Sequence, residues 1–311
     1  MGTTNVVTNE YMKDERRFAD AFNFFLFDGE QIVCSEKLKE ADPVELAVIM
    51  EGDQPYQVEK IRDVLKNSLF LTDGDYSYLL MGIENQAEVH MAMPVRSLIY
   101  DGLCYGEQVT KRTRQRRALK MEEDSAEFLS GFGRKDRIKP VLTLIILWKA
   151  GPWNGPKCLF DMFDKVDDRV KEYVNDYKIH VIVPDEIDDF NKFRTELGVA
   201  LEFIAGSQKH EYIDRIRTNE RFKKVTNETV NLLNICTGAA IELNEKEGVV
   251  DMCKGIEDLK QIVREEARSE GMMNVNRLNQ WLIENDRISD LQRSIVDLEF
   301  QQQLLAELNL A

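Results

Sequence analysis

The chain has 311 residues and a formal net charge of −15 at pH 7, with a pI near 4.9, and a field of that sign opposes nonspecific binding to nucleic-acid phosphate. Its five cysteines (Cys34, Cys104, Cys158, Cys236, Cys253) are scattered and never spaced as CxxC, which argues against a disulfide framework or a zinc knuckle and fits a reduced cytosol. MGTTNVVTNEYMKDE at the N-terminus has no apolar core of the signal-peptide kind, and VLTLIILW at 141–148 is too short to span a bilayer, so the expectation is a soluble cytoplasmic protein with no membrane partner.

In chain order, residues 1–12 read as a flexible N-terminus. KDERRFADAFNFFLFDGE sets Phe18, Ala21, Phe22, Phe25 and Leu26 at helical spacing and stops at Asp28-Gly29, which predicts a first amphipathic helix. QIVCSEKLKEADPVELAVIM predicts a short strand or loop and then a helical turn after Asp42-Pro43, with a short helix after Gln57. Strands follow from about Asp63 and from Tyr76 to about Gln86, and a helix from Pro94, a favoured first helical position, to about Val109. KRTRQRRALK is the one dense basic run, either a solvated segment or a phosphate-contacting one.

Beyond it, KPVLTLIILW is apolar on both faces and rich in branched residues, as in a central strand, and YKIHVIV predicts another. GPWNGPKCLFDMFD between them supplies turn residues and a short helix. After Pro184 the pattern is helical. From about Gly248 a charged helix leads to a tail in which Leu278, Leu282, Leu291, Ile295, Leu298, Leu304, Leu305 and Leu308 are spaced for two or three amphipathic helices, suited to packing or a dimer contact.

The stretch YLLMGIENQ ends an apolar strand in Glu84, Asn85 and Gln86, groups that are costly to bury unpaired. Asp-Gly is a strong hairpin signal, and a two-residue loop at Asp73-Gly74 sets Asp63 directly opposite Glu84. Moving the loop to Gly74-Asp75 makes Gln86 the partner and keeps the same face, because side chains alternate with period two. Opposed carboxylates repel unless compensated. A hard divalent cation does this, and so does an ion pair to Arg62 or Arg96 on solvated strand ends; spacing alone leaves both open. His90, His180 and His210 stand apart from one another and from cysteines, and Trp148 and Trp153 read as packing.

The series of an apolar helix, a strand beginning R-D-V-L (Arg62 to Leu65), a strand ending I-E-N-Q (Ile83 to Gln86), a helix with Arg96 and Tyr100, then P-V-L-T-L-I-I, W-N-G-P (Trp153 to Pro156) and YKIHVIVP resembles the recombination-promoting nuclease family of transposase-like proteins. That family belongs to the PD-(D/E)XK nuclease superfamily, and the resemblance covers roughly residues 13 to 270. It implies that Asp63 and Glu84 are catalytic and, with the main-chain carbonyl of Asn85, bind Mg²⁺ or alternatively Mn²⁺ or Ca²⁺. Gln86 takes the third catalytic position, where the superfamily more often has Lys; an amide cannot accept a proton as a general base, so the metal must activate the water. Asp20 falls where related folds place an accessory acid, and Arg96 and Tyr100 match accessory positions on one face of the following helix.

The fold expected is α/β: a restriction-endonuclease-like core over 13–185, a mixed sheet flanked by helices, then a helical extension packed on it over 186–247 and a helical C-terminal region over 248–311. The function expected is metal-dependent DNA endonuclease activity linked to recombination or mobile elements, with DNA contacts from Lys111, Arg112, Arg114, Arg116 and Arg117. The alternatives are a nuclease-fold protein with weak or lost cleavage that binds DNA or a protein partner, and a structural role in which the C-terminal helices build a homo-oligomer.

Overall fold

The computed structural model describes residues 2–40, 44–51, 54–61, 63–72, 75–119, 124–209, 216 and 218–308. The strands that matter to the site come in the order β1 (Lys39–Glu40), β2 (Val44–Glu51), β3 (Gln54–Ile61), β4 (Val64–Thr72), β5 (Asp75–Gln86), β6 (Val141–Leu147) and β7 (His180–Ile182). Among the described residues β1, β4, β5, β6 and β7 form one sheet in that order, while β2 and β3 pair only with each other. The sheet is mixed: β4 is antiparallel to β1 and β5, and β6 is parallel to β5 and β7. Strand β6 is buried from Thr143 to Leu147, as a parallel strand covered on both faces must be.

The β4–β5 register is that of a two-residue loop. Thr72 faces Asp75 and Val64 faces Ile83; Asp73 and Gly74 themselves lie outside the described residues. Asp63 lies just ahead of β4, one residue before the first paired position, so the register reaches Val64 opposite Ile83 and the expected Asp63–Glu84 pair is not part of it.

Two helices precede the sheet. Residues 3–13, read from sequence as flexible, form helix α1 (Thr3–Lys13), with Tyr11 and Met12 buried. The Tyr11 hydroxyl bonds the Thr229 hydroxyl at 3.1 Å, and its ring meets Trp148 edge-on. Helix α2 (Glu15–Phe27) starts at Asp14, whose carboxylate accepts from the Arg16 and Arg17 N–H groups, and stops where Asp28 and Gly29 take positive φ. Lys66 of β4, wholly buried, donates to the Lys13 carbonyl at 2.8 Å and fixes the α1–α2 junction over the sheet.

Three expectations need correction. The segments read as a helical turn after Asp42-Pro43 and a short helix after Gln57 are strands β2 and β3, paired from Val44–Ile61 to Glu51–Gln54. The helix after β5, α3 (Met93–Leu119), runs ten residues past Val109 and carries the basic run on its last turns. In the tail, Leu278, Leu282 and Leu304 are buried together with Trp281, Leu291, Phe300, Leu305 and Leu308 around them, but Ile295 and Leu298 are exposed.

The chain divides into two units, Met1–Val250 and Asp251–Ala311. The first contains the sheet, α1 to α3, helices α4 (Ser125–Ser130), α5 (Asp168–Lys171) and α6 (Glu196–Gly206), and the helix Asn227–Thr237, which packs on α1 and α6. The second is the helix Met252–Glu284 followed by Ile288–Val296 and Leu298–Glu307. No helix among the described residues is long and apolar enough to cross a membrane.

The chain leaving α2 is held by one buried amide. Asn23 accepts from the Ile32 and Val33 N–H groups at 3.1 and 2.7 Å and donates to the Val33 carbonyl at 3.0 Å. Asn23→Ala orphans these backbone groups and should destabilise the protein by about 3 kcal/mol in urea titrations; a change below about 0.5 kcal/mol would mean that this segment finds other partners.

Candidate active site

The end of β5 distributes its polar side chains to opposite faces of the sheet, as alternation requires. Glu84 is fully buried and meets α3, where the Arg96 Nη2 lies 3.1 Å from its Oε2. One turn along α3, the Tyr100 hydroxyl accepts from Arg96 Nε at 3.1 Å, with the guanidinium 5.4 Å from the ring centre. Burial, and next the charge of Glu84, hold the Tyr100 hydroxyl above its ordinary pKa, so it is neutral.

Asn85 serves the other face. Its amide donates to Asn9 Oδ1 at 2.9 Å and accepts from the Trp148 indole N–H at 2.7 Å, so both ends are satisfied. Its backbone N–H donates to Asp63 Oδ2 at 2.6 Å, and Asn9 Nδ2 donates to Asp63 Oδ1 at 3.0 Å. Asp63 is therefore tied to both β5 and α1. Gln86 is buried, its carbonyl accepting from the Trp148 N–H at 2.8 Å, and its side-chain amide makes no hydrogen bond to a protein group among the described residues. A cleft of about 280 Å³ opens beside this strand end, bordered by Ala87, Glu88, Trp148 and Lys149.

The structure thus brings together Asp63, Glu84, Asn85, Arg96 and Tyr100, and adds Asn9 and Trp148, which sequence reasoning missed. Asn9 lies on the segment read as flexible, and Trp148 directly follows β6, where it reads as packing. Among the described residues no three His, Cys, Asp or Glu side chains converge to hold a metal ion. The donors present for one are the carboxylates of Asp63 and Glu84, a hard oxygen pair of the kind that suffices for magnesium when waters complete its shell.

Asp20 lies elsewhere. Its buried carboxylate accepts from the Arg194 N–H at 3.0 Å, the Thr195 N–H at 2.8 Å and the Thr195 hydroxyl at 2.6 Å, bracing the start of α6. The basic run divides as well. Arg116 is buried against Glu127 and Asp136, at 3.4 and 3.5 Å, beneath Gly133, where a Cβ would lie 2.1 Å from its Nη1. It is a structural cation, and this corrects its assignment as a DNA contact. Lys111 pairs with Glu107 at 2.7 Å and Arg112 approaches Asp136 at 3.6 Å, whereas Arg114 and Arg117 are exposed with no ion-pair partner among the described residues.

Models of protein families, curated proteins and solved structures were each compared with the chain, and none matches it.

Burial raises the Asp63 pKa above the ordinary carboxylate value, against the hydrogen bonds from Asn85 and Asn9 and the charge of Arg96. The folded state then favours the protonated form, so this group contributes most below its unfolded pKa, and that contribution is lost as pH rises through the folded value. In chelator, the stability of the wild type relative to Asp63→Asn should fall as pH rises through that window; urea titrations at several pH values measure it, and a rising difference would refute the sign. Asp20→Ala should cost about 2 to 4 kcal/mol of stability through its orphaned donors. It should leave divalent-cation binding, followed by calorimetry, unchanged.

Proposed function

We propose that this chain is a metal-dependent endonuclease that hydrolyses phosphodiester bonds in DNA, built on a restriction-endonuclease-like core and linked to recombination or mobile elements. The observation that carries this reading is the β4–β5 register together with the 2.6 Å bond from the Asn85 N–H to Asp63, which holds the carboxylate just ahead of β4 beside the end of β5 that carries Glu84. Resemblance of the surrounding motifs to the PD-(D/E)XK nucleases supports it.

In this reading Asp63, Glu84 and the Asn85 carbonyl hold Mg²⁺, or Mn²⁺ or Ca²⁺ in its place. A bound cation supplies an acidified water and charge compensation at the scissile phosphate. Gln86 orients that water through its uncommitted amide, and Asn9 and the Asn85 N–H keep Asp63 from rotating away. Arg96 reaches a phosphate oxygen. Arg114 and Arg117, with Lys111 and Arg112 beside them, follow the DNA backbone, and exposed Ile295, Val296 and Leu298 offer the C-terminal helices a surface for a second copy.

The second reading, a protein that binds DNA or a protein partner and cleaves weakly or not at all, is favoured by two features. Gln86 cannot act as a base where Lys is usual, and Glu84 already has a guanidinium as counter-charge.

Supercoiled plasmid separates the two. Purified wild type should nick it with Mg²⁺ or Mn²⁺ and not with chelator. Asp63→Ala and Glu84→Ala should each lose at least about a hundredfold in rate, since even residues that only orient metal ligands can cost that much. Equal cleavage by all three proteins would remove the chemistry from this hairpin. Cation-independent DNA binding without cleavage, weakened when Arg114 and Arg117 are changed to Ala, would establish the binding reading.

A further inference from the structure

Arg96 already sits on one oxygen of the Glu84 carboxylate, a group that a cation at this site would need. Its Nη2 is 3.1 Å from Glu84 Oε2, and the Glu84 side chain is fully buried while that of Arg96 is 33% exposed. A hard divalent ion bonds a carboxylate oxygen at about 2.0 to 2.6 Å, so an ion on Glu84 and the guanidinium in its present place would be two positive charges a few ångströms apart, with little water to screen them. We propose that Arg96 and the divalent cation compete for the Glu84 carboxylate, and that loading the cation releases the guanidinium to a phosphate oxygen. The inference rests on the metal-dependent reading above.

The geometry supports exchange rather than expulsion. Arg96 Nε stays anchored on the Tyr100 hydroxyl one helical turn away, so the guanidinium can turn about that bond without leaving the site. Of its five N–H donors, the bonds to Glu84 and Tyr100 use two, and the others are enough for a forked contact to phosphate. Tyr100 is then a positioning residue. It holds the guanidinium within reach of both carboxylate and substrate. In the metal-free chain Arg96 neutralises Glu84 and keeps a buried carboxylate from standing alone. In the loaded chain the same charge serves the phosphate, so cation binding also raises affinity for DNA.

The test is calorimetric titration of the full chain with MnCl₂ in the absence of DNA, for the wild type, Arg96→Gln and Tyr100→Phe. Arg96→Gln keeps an amide to bond Glu84 but removes the competing charge, and should bind Mn²⁺ at least about tenfold more tightly. Tyr100→Phe keeps the charge and loses its anchor, and should tighten binding by about threefold; it decides the matter if Arg96→Gln does not fold. With Ca²⁺ in place of Mn²⁺, a short DNA duplex should bind the wild type more tightly than without cation, and that gain should vanish in Arg96→Gln. If the wild type binds Mn²⁺ and the variants bind it equally or more weakly, the competition is refuted while the metal-dependent reading stands. If folded wild type and Tyr100→Phe both bind no divalent cation, both are refuted.

Discussion

The arrangement depends on the bond from the Asn85 N–H to the Asp63 carboxylate. It caps the β4–β5 pairing, whose last partners are Val64 and Ile83, with the side chain of the residue that precedes β4. Slipping this register by one residue would turn every side chain of the strand to the other face. Glu84 would then face Asn9 and the Trp148 indole, which suit an amide, and Asn85 would face Arg96. Glu84 and Asn85 are each tolerable at the end of β5 because their own face holds a partner, and the partners are not interchangeable.

Those partners come from different parts of the chain, which is how the fold makes the site. Helix α1 brings Asn9, and α1 is held by the buried contacts of Tyr11 with Thr229 and Trp148 and by Lys66 reaching the Lys13 carbonyl. Helix α3 brings Arg96 and Tyr100 as the crossover between parallel strands β5 and β6. Disturbing the helix Asn227–Thr237, though distant in sequence, would therefore reach Asp63 through Tyr11 and Asn9.

The β4–β5 register was legible in the sequence because it needs only a turn signal and the period of a strand. The hairpin of β2 and β3 carries a similar but weaker signal, Gly52-Asp53 between VELAVIME and QPYQVEKI, the second with only Val58 and Ile61 β-branched, and Asp42-Pro43 looks equally like a helix start. Helix α1 was hidden for another reason. Thr3, Thr4, Val6, Val7 and Thr8 are β-branched and weak helix formers, and tertiary burial of Tyr11 and Met12 overrides that local preference. Nor could composition separate Arg116 from Arg114 and Arg117. What distinguishes Arg116 is the space above Gly133 and the carboxylates of Glu127 and Asp136, all beyond its own helix.

Net charge then constrains how any anionic substrate is met. At −15 the chain repels DNA at long range, and screening confines that repulsion to roughly 8 Å at physiological salt. Attraction has to be local. Arg96 pairs with Glu84, whereas Asp63 takes its hydrogen bonds from the neutral Asn9 and Asn85 donors, and burial raises its pKa against those bonds and the charge of Arg96. On the proposed reading, a cation held by these residues would supply positive charge at this strand end.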